Sequence, residues 1–560
     1  IIMKKKNTDQ SKLEFLYNGS NPIIILIIVS ALIYFKNVGF TFSYFDDDLL
    51  ILNNLGFLKS NISFMEMFKR DIFLNGLSAF YRPLQSTIYF FVVQFTENES
   101  ASGFFFTNLL FHITTVISLF LLLKELNFTN KLSFLLSLIY TVNPLFVHTV
   151  SWIPSSGDLL MCLSSVLTFL FYIKWYKRPD IKLLVFHLLF FAMALLSKES
   201  SILLPVVPVL FYLMNRNPKK DIKRQLWLPM IFWAAMILIY FVLRSNYIDM
   251  ANAEKTFSFM NIFIGLQTIP NLIFKFFIPY NLSPMPRFDI VFSILGLIIF
   301  AGILYLVNKQ NKLKHQNVVL GLIWLFVFIL PTLTFQHGMS FLSYQYLEHR
   351  AYLPFVGLII ILAELFRDKY ETSRFENIIL IAAVLFGLYS YVYSFNYKNP
   401  DKFYSRVLKI NPNDPVAYYN RGVSRQKSNR MNEAFSDYNQ ALKIHPDYKI
   451  VRNNRGIINA TQGRPQAAIE DFNISLTTNP NSSDLYTNRG NAYVLLNQPD
   501  KAISDYNMAL KINPNDVKAL LYRGNVKLML KQRDEGCTDI RRSAEMGFPP
   551  AVELYNKYCK

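Results

Sequence analysis

The chain has 560 residues, is 52% hydrophobic and 16% aromatic, and has a mean hydropathy of +0.24, which excludes a single soluble globule and requires a membrane fraction. Its formal charge of +19 is spread along the chain: residues 400–560 carry 24 Lys+Arg against 16 Asp+Glu, and the remainder 33 against 22. In the first 400 residues the basic side chains fall between apolar runs, the pattern of loops held at the cytoplasmic face, so the charge points to a lipid bilayer and not to nucleic acid.

Met3 reads as the natural start, after Ile1 and Ile2. Residues 1–21, with Lys4, Lys5, Lys6 and Lys12, are a basic tail expected in the cytoplasm. The apolar run 22–38 lacks a small-residue cleavage site before Tyr44, Phe45 and Asp46, and reads as an uncleaved first span. A first outer loop is expected over 39–103. Further apolar runs at about 104–123, 132–150, 157–173, 183–197, 201–214, 226–243, 288–307, 318–335, 351–366 and 377–395 bring the expected spans to about eleven, in a membrane domain over 22–399. Basic clusters at 124–131, 174–182, 216–224, 309–314 and 367–374 alternate with charge-poor loops, as the positive-inside bias requires. The alternation holds when residues 262–280 do not cross but form a re-entrant or interfacial helix. On that phase the segments around Asp46, His148, Lys198, Arg244 and Glu348, and everything after residue 400, share the outer face.

Several polar residues stand out in this half. Asp46, Asp47 and Asp48 follow the first span directly; three adjacent carboxylates repel one another, which raises a pKa and suits a general base, while the plain alternative is a solvated loop. Arg82, in Tyr81-Arg82-Pro83-Leu84, and Arg244, at an outer span end, can clamp an anionic group or simply snorkel. His112 and His148 are polar groups in apolar surroundings that need partners. Lys198-Glu199 reads as a self-neutralising pair and Glu348-His349-Arg350 as a buried ion pair, each open to a site role. No P-loop, GxSxG, HExxH or GxGxxG context occurs.

The last third, 400–560, is periodic. Asn411-Pro412, His445-Pro446, Asn479-Pro480 and Asn513-Pro514 recur at a constant step of 34 residues, and Arg421-Gly422, Arg455-Gly456, Arg489-Gly490 and Arg523-Gly524 keep it. That is the tetratricopeptide period, a stack of antiparallel helix pairs. The glycines and Ala434, Ala468 and Ala502 permit close packing, and Pro446, Pro480 and Pro514 end the second helices. About four repeats are expected, with a cap over 402–410 and a closing helix over 551–560. The inner groove is expected to present Tyr419, Gln426, Lys427, Asn453, Thr461, Asp484, Thr487 and Asn491, either to an extended peptide or to solvent. Three cysteines, Cys162, Cys537 and Cys559, give no disulfide framework and no CxxC knuckle.

In order along the chain, Phe45-Asp46-Asp47, Tyr81-Arg82-Pro83-Leu84, Asn108-Leu109-Leu110-Phe111-His112, Asn143-Pro144 with Gly157-Asp158-Leu159-Leu160, Ser197-Lys198-Glu199 and Glu348-His349-Arg350-Ala351-Tyr352-Leu353-Pro354 resemble the transmembrane and tetratricopeptide-repeat O-mannosyltransferases. These are C-type glycosyltransferases, and the Lys- and Phe-rich sequence with short loops points to a bacterial member. The resemblance implies an all-α fold, a polyprenyl-phosphate-linked sugar donor, a protein acceptor, and an acidic pair in the first outer loop, matched here by Asp46 and Asp47; Asp48 is additional. It also implies repeats on the lumenal or periplasmic side. His148 stands where eukaryotic members carry a glutamate, and Ser156 where they carry an arginine, so the second polar element of the family's site does not carry over.

The expectation is therefore an inverting membrane glycosyltransferase in which Asp46 or Asp47 takes the acceptor proton and Arg82, Arg244 and Arg350 bind donor phosphate. Asp48, His112, His148, Asp158, Lys198, Glu199 and Glu348 are further site candidates. No cofactor is assigned, and a divalent cation at Asp46–Asp48 is left open. The alternatives are a non-enzymatic repeat scaffold for envelope assembly and a lipid-linked glycan polymerase or ligase.

Overall fold

The structure, a computed structural model, describes residues 13–560 apart from 75–77, 79, 97–99, 216–222, 249–264, 334–345 and 370–371. Lys4, Lys5, Lys6, Lys12, Arg216, Lys219 and Lys220, and the start of the 262–280 stretch, lie outside the described residues. Every element among the described residues is helical, and the chain divides into two compact units, Ile1–Arg406 and Val407–Lys560.

Among the described residues of the first unit six helices are long and apolar enough to cross a membrane: Asn21–Gly39, Ser102–Glu125, Ile153–Lys177, Leu226–Tyr247, Ile290–Lys309 and Ser373–Tyr397. A seventh candidate is the pair Asn130–Val142 and Pro144–Ser151, bent by 49°. The bend falls at Asn143-Pro144, where proline has no N–H to continue the ladder and the Asn143 carboxamide accepts from Leu145 N–H instead. Four shorter apolar helices, Ile181–Ser197, Glu199–Asn215, Gln316–Pro331 and Pro354–Phe366, lie in the other expected runs, so six or seven of the about eleven expected spans reach crossing length. Ile153–Lys177 is 83% buried in its apolar window and forms the bundle's centre, whereas Leu226–Tyr247 and Ser373–Tyr397 are 17% and 22% buried and turn apolar faces outward, as lipid-facing helices do.

The stretch expected to be re-entrant contains the helix Thr268–Phe277. At ten residues it is far short of the roughly 20 needed to span. It packs so closely on Ile290–Lys309 that a Cβ at Gly296 would lie 1.9 Å from the Pro270 carbonyl oxygen, and its end is tied by the Asn143 amide to the Phe276 carbonyl (3.0 Å). The segment expected as a first outer loop is largely folded, carrying Asp47–Leu50, Leu55–Lys59, the 3-10 turn Phe64–Lys69 and the 13-residue helix Pro83–Phe95. Proline at the first position of the last of these starts it without losing a bonded N–H.

The second unit is the tetratricopeptide solenoid. Its four pairs are Pro415–Lys427 with Met431–Ile444, Lys449–Thr461 with Pro465–Leu476, Ser483–Leu495 with Pro499–Ile512, and Val517–Met529 with Arg533–Glu545. The flanking helices are Pro400–Ile410 and Pro549–Tyr558. The packing alanines and Tyr438, Phe472 and Tyr506 are buried as the pattern requires. The arginines before the glycines form a ladder that periodicity alone does not reveal. Arg421, Arg455, Arg489 and Arg523 each grip an aspartate sixteen residues on, Asp437, Asp471, Asp505 and Asp539, through two nitrogens at 2.6–3.0 Å. The last three also donate to Asn439, Asn473 and Asn507 of the preceding pair. One guanidinium thus ties both helices of a repeat to the repeat before. Three cysteines leave open whether Cys537 and Cys559 pair; in the structure they do, with Cα atoms 5.5 Å apart, and fasten the final helix to Arg533–Glu545, while Cys162 is free and buried.

Candidate active site

The first span ends at Gly39, and the chain turns sharply before the short helix Asp47–Leu50. Tyr44 and Asp46 both adopt left-handed backbone, at φ 53° and 67°. Such a conformation costs a non-glycine residue about 1–2 kcal/mol, so the surroundings must impose it. Asp47 supplies the first restraint. Its buried carboxylate accepts from Ser43 N–H (2.6 Å), Phe45 N–H (2.8 Å) and the Ser43 hydroxyl (3.1 Å). Asp46, flanking it, stays half-buried and keeps its carboxylate out of that web. Burial, with the Asp48 charge adding, pushes the Asp46 carboxyl up to about 6. Burial outweighs the hydrogen bonds at Asp47 and raises it to about 7.

Trp152 connects this turn to the rest of the site. Its Nε1–H donates to the Phe45 carbonyl at 2.9 Å and its ring stacks on Phe45 at 5.2 Å. On its other side it meets His148 (5.0 Å) and His349 (5.1 Å). His349 approaches Asp158 at 3.7 Å; burial keeps this imidazole neutral, so that approach is a polar contact and not an ion pair. Asp158 is held instead by Lys198 Nζ at 2.5 Å. Burial lowers the Lys198 ammonium to about 8; Asp158 opposes this, and the neighbouring charges of Arg82 and Arg350 reinforce it.

The pairs expected from sequence adjacency are therefore crossed. Glu199 does not neutralise Lys198 but accepts from Arg82 (Nε to Oε2 3.1 Å, Nη2 to Oε2 3.1 Å). Two residues adjacent across a sharp helix-to-turn junction point to different partners: Lys198 closes the helix Ile181–Ser197 in extended backbone, and Glu199 opens the next turn. Likewise Glu348 pairs with neither His349 nor Arg350; it is fully buried against Lys275 (2.7 Å) on the short helix Thr268–Phe277. Arg244 and Glu199 lie within electrostatic reach of Tyr240, whose hydroxyl reaches the Tyr81 carbonyl at 3.4 Å.

The structure thus brings Asp46, Asp47, Asp48, His148, Asp158, Lys198, Glu199, Arg82, Arg244 and Arg350 into one polar neighbourhood. Within it Asp158 holds Lys198 and Glu199 holds Arg82, Arg350 adds its charge beside Lys198 and Arg244 beside Tyr240, a gathering of cations suited to meeting an anion. His112 sits in the bundle core, with Nδ1 2.7 Å from the Tyr352 hydroxyl and its ring edge-on to Tyr34. Among the described residues no group of three His, Cys, Asp or Glu is arranged to hold a metal ion.

Of the expected groove residues, several are engaged within the array. Gln426 and Asn491 accept from the hydroxyls of Tyr438 (2.7 Å) and Tyr506 (2.6 Å), Thr487 is buried facing Asp516 (3.4 Å), and Tyr419 packs on Tyr448. Asn453 accepts from Asn488 of the next pair at 3.3 Å. A polar cavity of about 510 Å³ lies further along, lined by Asn481, Asp484, Asn513, Asp516 and Lys518 among others.

Sequence reasoning missed Trp152 and Gln85. Trp152 is one of only five tryptophans and sits between two motif segments, a usable signal. Gln85, which donates to the Ser156 hydroxyl at 3.2 Å and to Tyr89 at 2.8 Å, gives none, because its role depends on a contact 71 residues away.

Residues 83–245 match the family model of dolichyl-phosphate-mannose-protein mannosyltransferases, and residues 415–448 and 483–516 match tetratricopeptide repeat models. The matched membrane segment contains Asp158, Lys198, Glu199 and Arg244 and begins one residue after Arg82. Together with the repeats it supports a membrane glycosyltransferase. No curated protein matches the chain. Similar solved structures include MamA from Desulfovibrio magneticus RS-1 (16% identity, 26% of this chain and 82% of that one, TM-score 0.25) and YrrB, described as a tetratricopeptide protein with an unusual peptide-binding site (17%, 31% and 91%, 0.26). The first repeat domain of Spaghetti (RPAP3), solved with an HSP90 peptide, is 21% identical over 21% of this chain and 93% of that one, at a TM-score of 0.20. Likenesses this partial carry no argument about function; the solenoid rests on the chain's own period.

Proposed function

We propose that the chain is an inverting glycosyltransferase that moves a sugar, mannose in the matched family, from a polyprenyl-phosphate carrier to a protein hydroxyl. One observation carries the reading: a partly buried carboxylate, Asp46, is held in left-handed backbone just beyond the end of an apolar span, in a neighbourhood that also holds Arg82 and Lys198. Asp46 takes the proton of the acceptor hydroxyl as its oxygen attacks the anomeric carbon. The bond from that carbon to the phosphate oxygen breaks, and the phosphate departs with the electron pair. Arg82, Lys198, Arg244 and Arg350 stabilise the charge that develops on it. Asp47, saturated by donors from Ser43 and Phe45, holds the turn. The carrier's tail stays in lipid while the sugar meets a water-soluble acceptor.

The array docks the acceptor, and the site and the array share the periplasmic or lumenal face. One feature supports that side: the Cys537–Cys559 disulfide belongs in an oxidising compartment. The experiment is transfer of labelled mannose from polyprenyl phosphate to a protein acceptor. Asp46→Asn should lower transfer by about a thousandfold and Asp47→Asn by less; undiminished transfer in both variants overturns the assignment.

A further inference from the structure

The turn that presents Asp46 is gripped from a second side, by the segment leading into the repeats. Tyr404 donates its hydroxyl to the Tyr44 carbonyl at 2.8 Å, and the Phe403 ring lies 5.5 Å from that of Phe45, which also stacks on Trp152. Thr41 N–H donates to the Lys398 carbonyl at 2.9 Å. Phe403 and Tyr404 are fully buried. Arg406 pins the same helix elsewhere, donating Nε and Nη2 to the Leu282 carbonyl at 2.9 and 2.7 Å. The helix Pro400–Ile410 is consequently divided: through Arg406 it belongs to the membrane unit, and from Val407 to the array.

Consecutive carbonyls of the turn, Tyr44 and Phe45, are thus each held by a ring donor from a distant segment, Tyr404 and Trp152. Left-handed backbone at Tyr44 and Asp46 relaxes unless such restraints persist. We propose, resting on the reading of Asp46 as the base, that Tyr404 is a positioning residue for it. The helix that opens the repeat array is then a working part of the catalytic site, and not a spacer.

The test uses the full chain with polyprenyl-phosphate mannose and a serine- and threonine-rich peptide. Tyr404→Phe keeps the ring and removes only the hydroxyl. It should lower kcat about tenfold, leave both KM values within twofold, and move the acidic limb of kcat to lower pH, because an opened turn admits water to Asp46. Phe403→Leu should act in the same direction, and it decides the matter should Tyr404→Phe fail to fold. Unchanged kcat in both, with Asp46→Asn inactive, overturns the positioning role while leaving the base in place. Full activity of Asp46→Asn overturns the base and the positioning role together. A fall in kcat matched by a rise in KM and a lower Tm, with the pH limb unmoved, makes Tyr404 structural and also overturns the proposal.

Discussion

The array and the membrane unit use the same charged side chains in opposite ways. In the array each arginine meets an aspartate sixteen residues ahead with two parallel bonds, and the arrangement repeats four times with almost no variation. Among the described residues of the membrane unit the pairs show no such period. Lys198 reaches back forty residues to Asp158, Arg82 reaches 117 residues forward to Glu199, and the acidic turn is held in backbone that side chains ordinarily avoid. Regular, fully matched pairs build a scaffold. Crossed, non-repeating pairs mark a candidate site, in keeping with the phosphate-binding role proposed for Arg82 and Lys198.

The sharpest way to break this comparison is to treat the site as though it were scaffold. Lys198→Met should lower kcat/KM for transfer by about a hundredfold, the usual effect of removing one donor to a developing charge. If Lys198 served only to neutralise Asp158, the double variant with Asp158→Asn would recover; the expected outcome is no recovery, read in the same assay.

The acidic turn gives a pH test whose two readouts run in opposite directions. With carboxyls raised to about 6 and 7 at Asp46 and Asp47, transfer should fall about tenfold per unit once the pH drops below that range, as the pair takes up a proton. The folded chain binds those protons more tightly than the unfolded chain does. The stability they confer is therefore fully present below the ordinary carboxylate value of 3.8 and is lost as pH rises through 6–7. A rate profile and a Tm profile over pH 4–8 should cross; parallel profiles would mean these carboxyls do not limit the reaction.

How much of this the sequence discloses follows from the same contrast. The solenoid is legible to within two residues at its flanking helices because each contact recurs every 34 positions, so Gly456 and Pro446 announce their partners. The site is legible only as a set of residues. Asp46, Arg82, Asp158, Lys198 and Glu199 stand out as polar groups in apolar surroundings, but which cation meets which carboxylate depends on tertiary contacts that adjacency misstates. Tyr404 is hidden for the opposite reason: it falls inside the periodic pattern and reads as one more packing aromatic. The Cys537–Cys559 pair escapes a count of three cysteines, since only the fold brings residues 22 apart within bonding distance.

Within the array, Arg489→Met should leave Asp505 nearly buried beside no cation and destabilise the fold by about 2 kcal/mol, below the full cost of a buried pair because Arg489 is 20% exposed. Differential scanning of the full chain should show a lowered Tm, with transfer of labelled mannose at 25 °C unchanged. Loss of transfer in the still-folded variant would mean that the ladder serves the reaction and not only the scaffold.

Gly456 offers the smallest and most specific test. A Cβ there would lie 2.8–3.1 Å from three atoms of the Phe472 ring, which is itself buried and belongs to the helix paired with Lys449–Thr461. The ring can tilt, so the contact of the added methyl should by itself cost about 1 kcal/mol, at the low end for overpacking. Because alanine also favours helix by a comparable amount over glycine, the net change in Tm is small and by itself ambiguous. Pairing the substitution with Phe472→Leu removes the ring that is met. In that background Gly456→Ala should become neutral or stabilising, since only the helix preference remains. A coupling energy near zero would show that Gly456 is required for some reason other than close approach to Phe472.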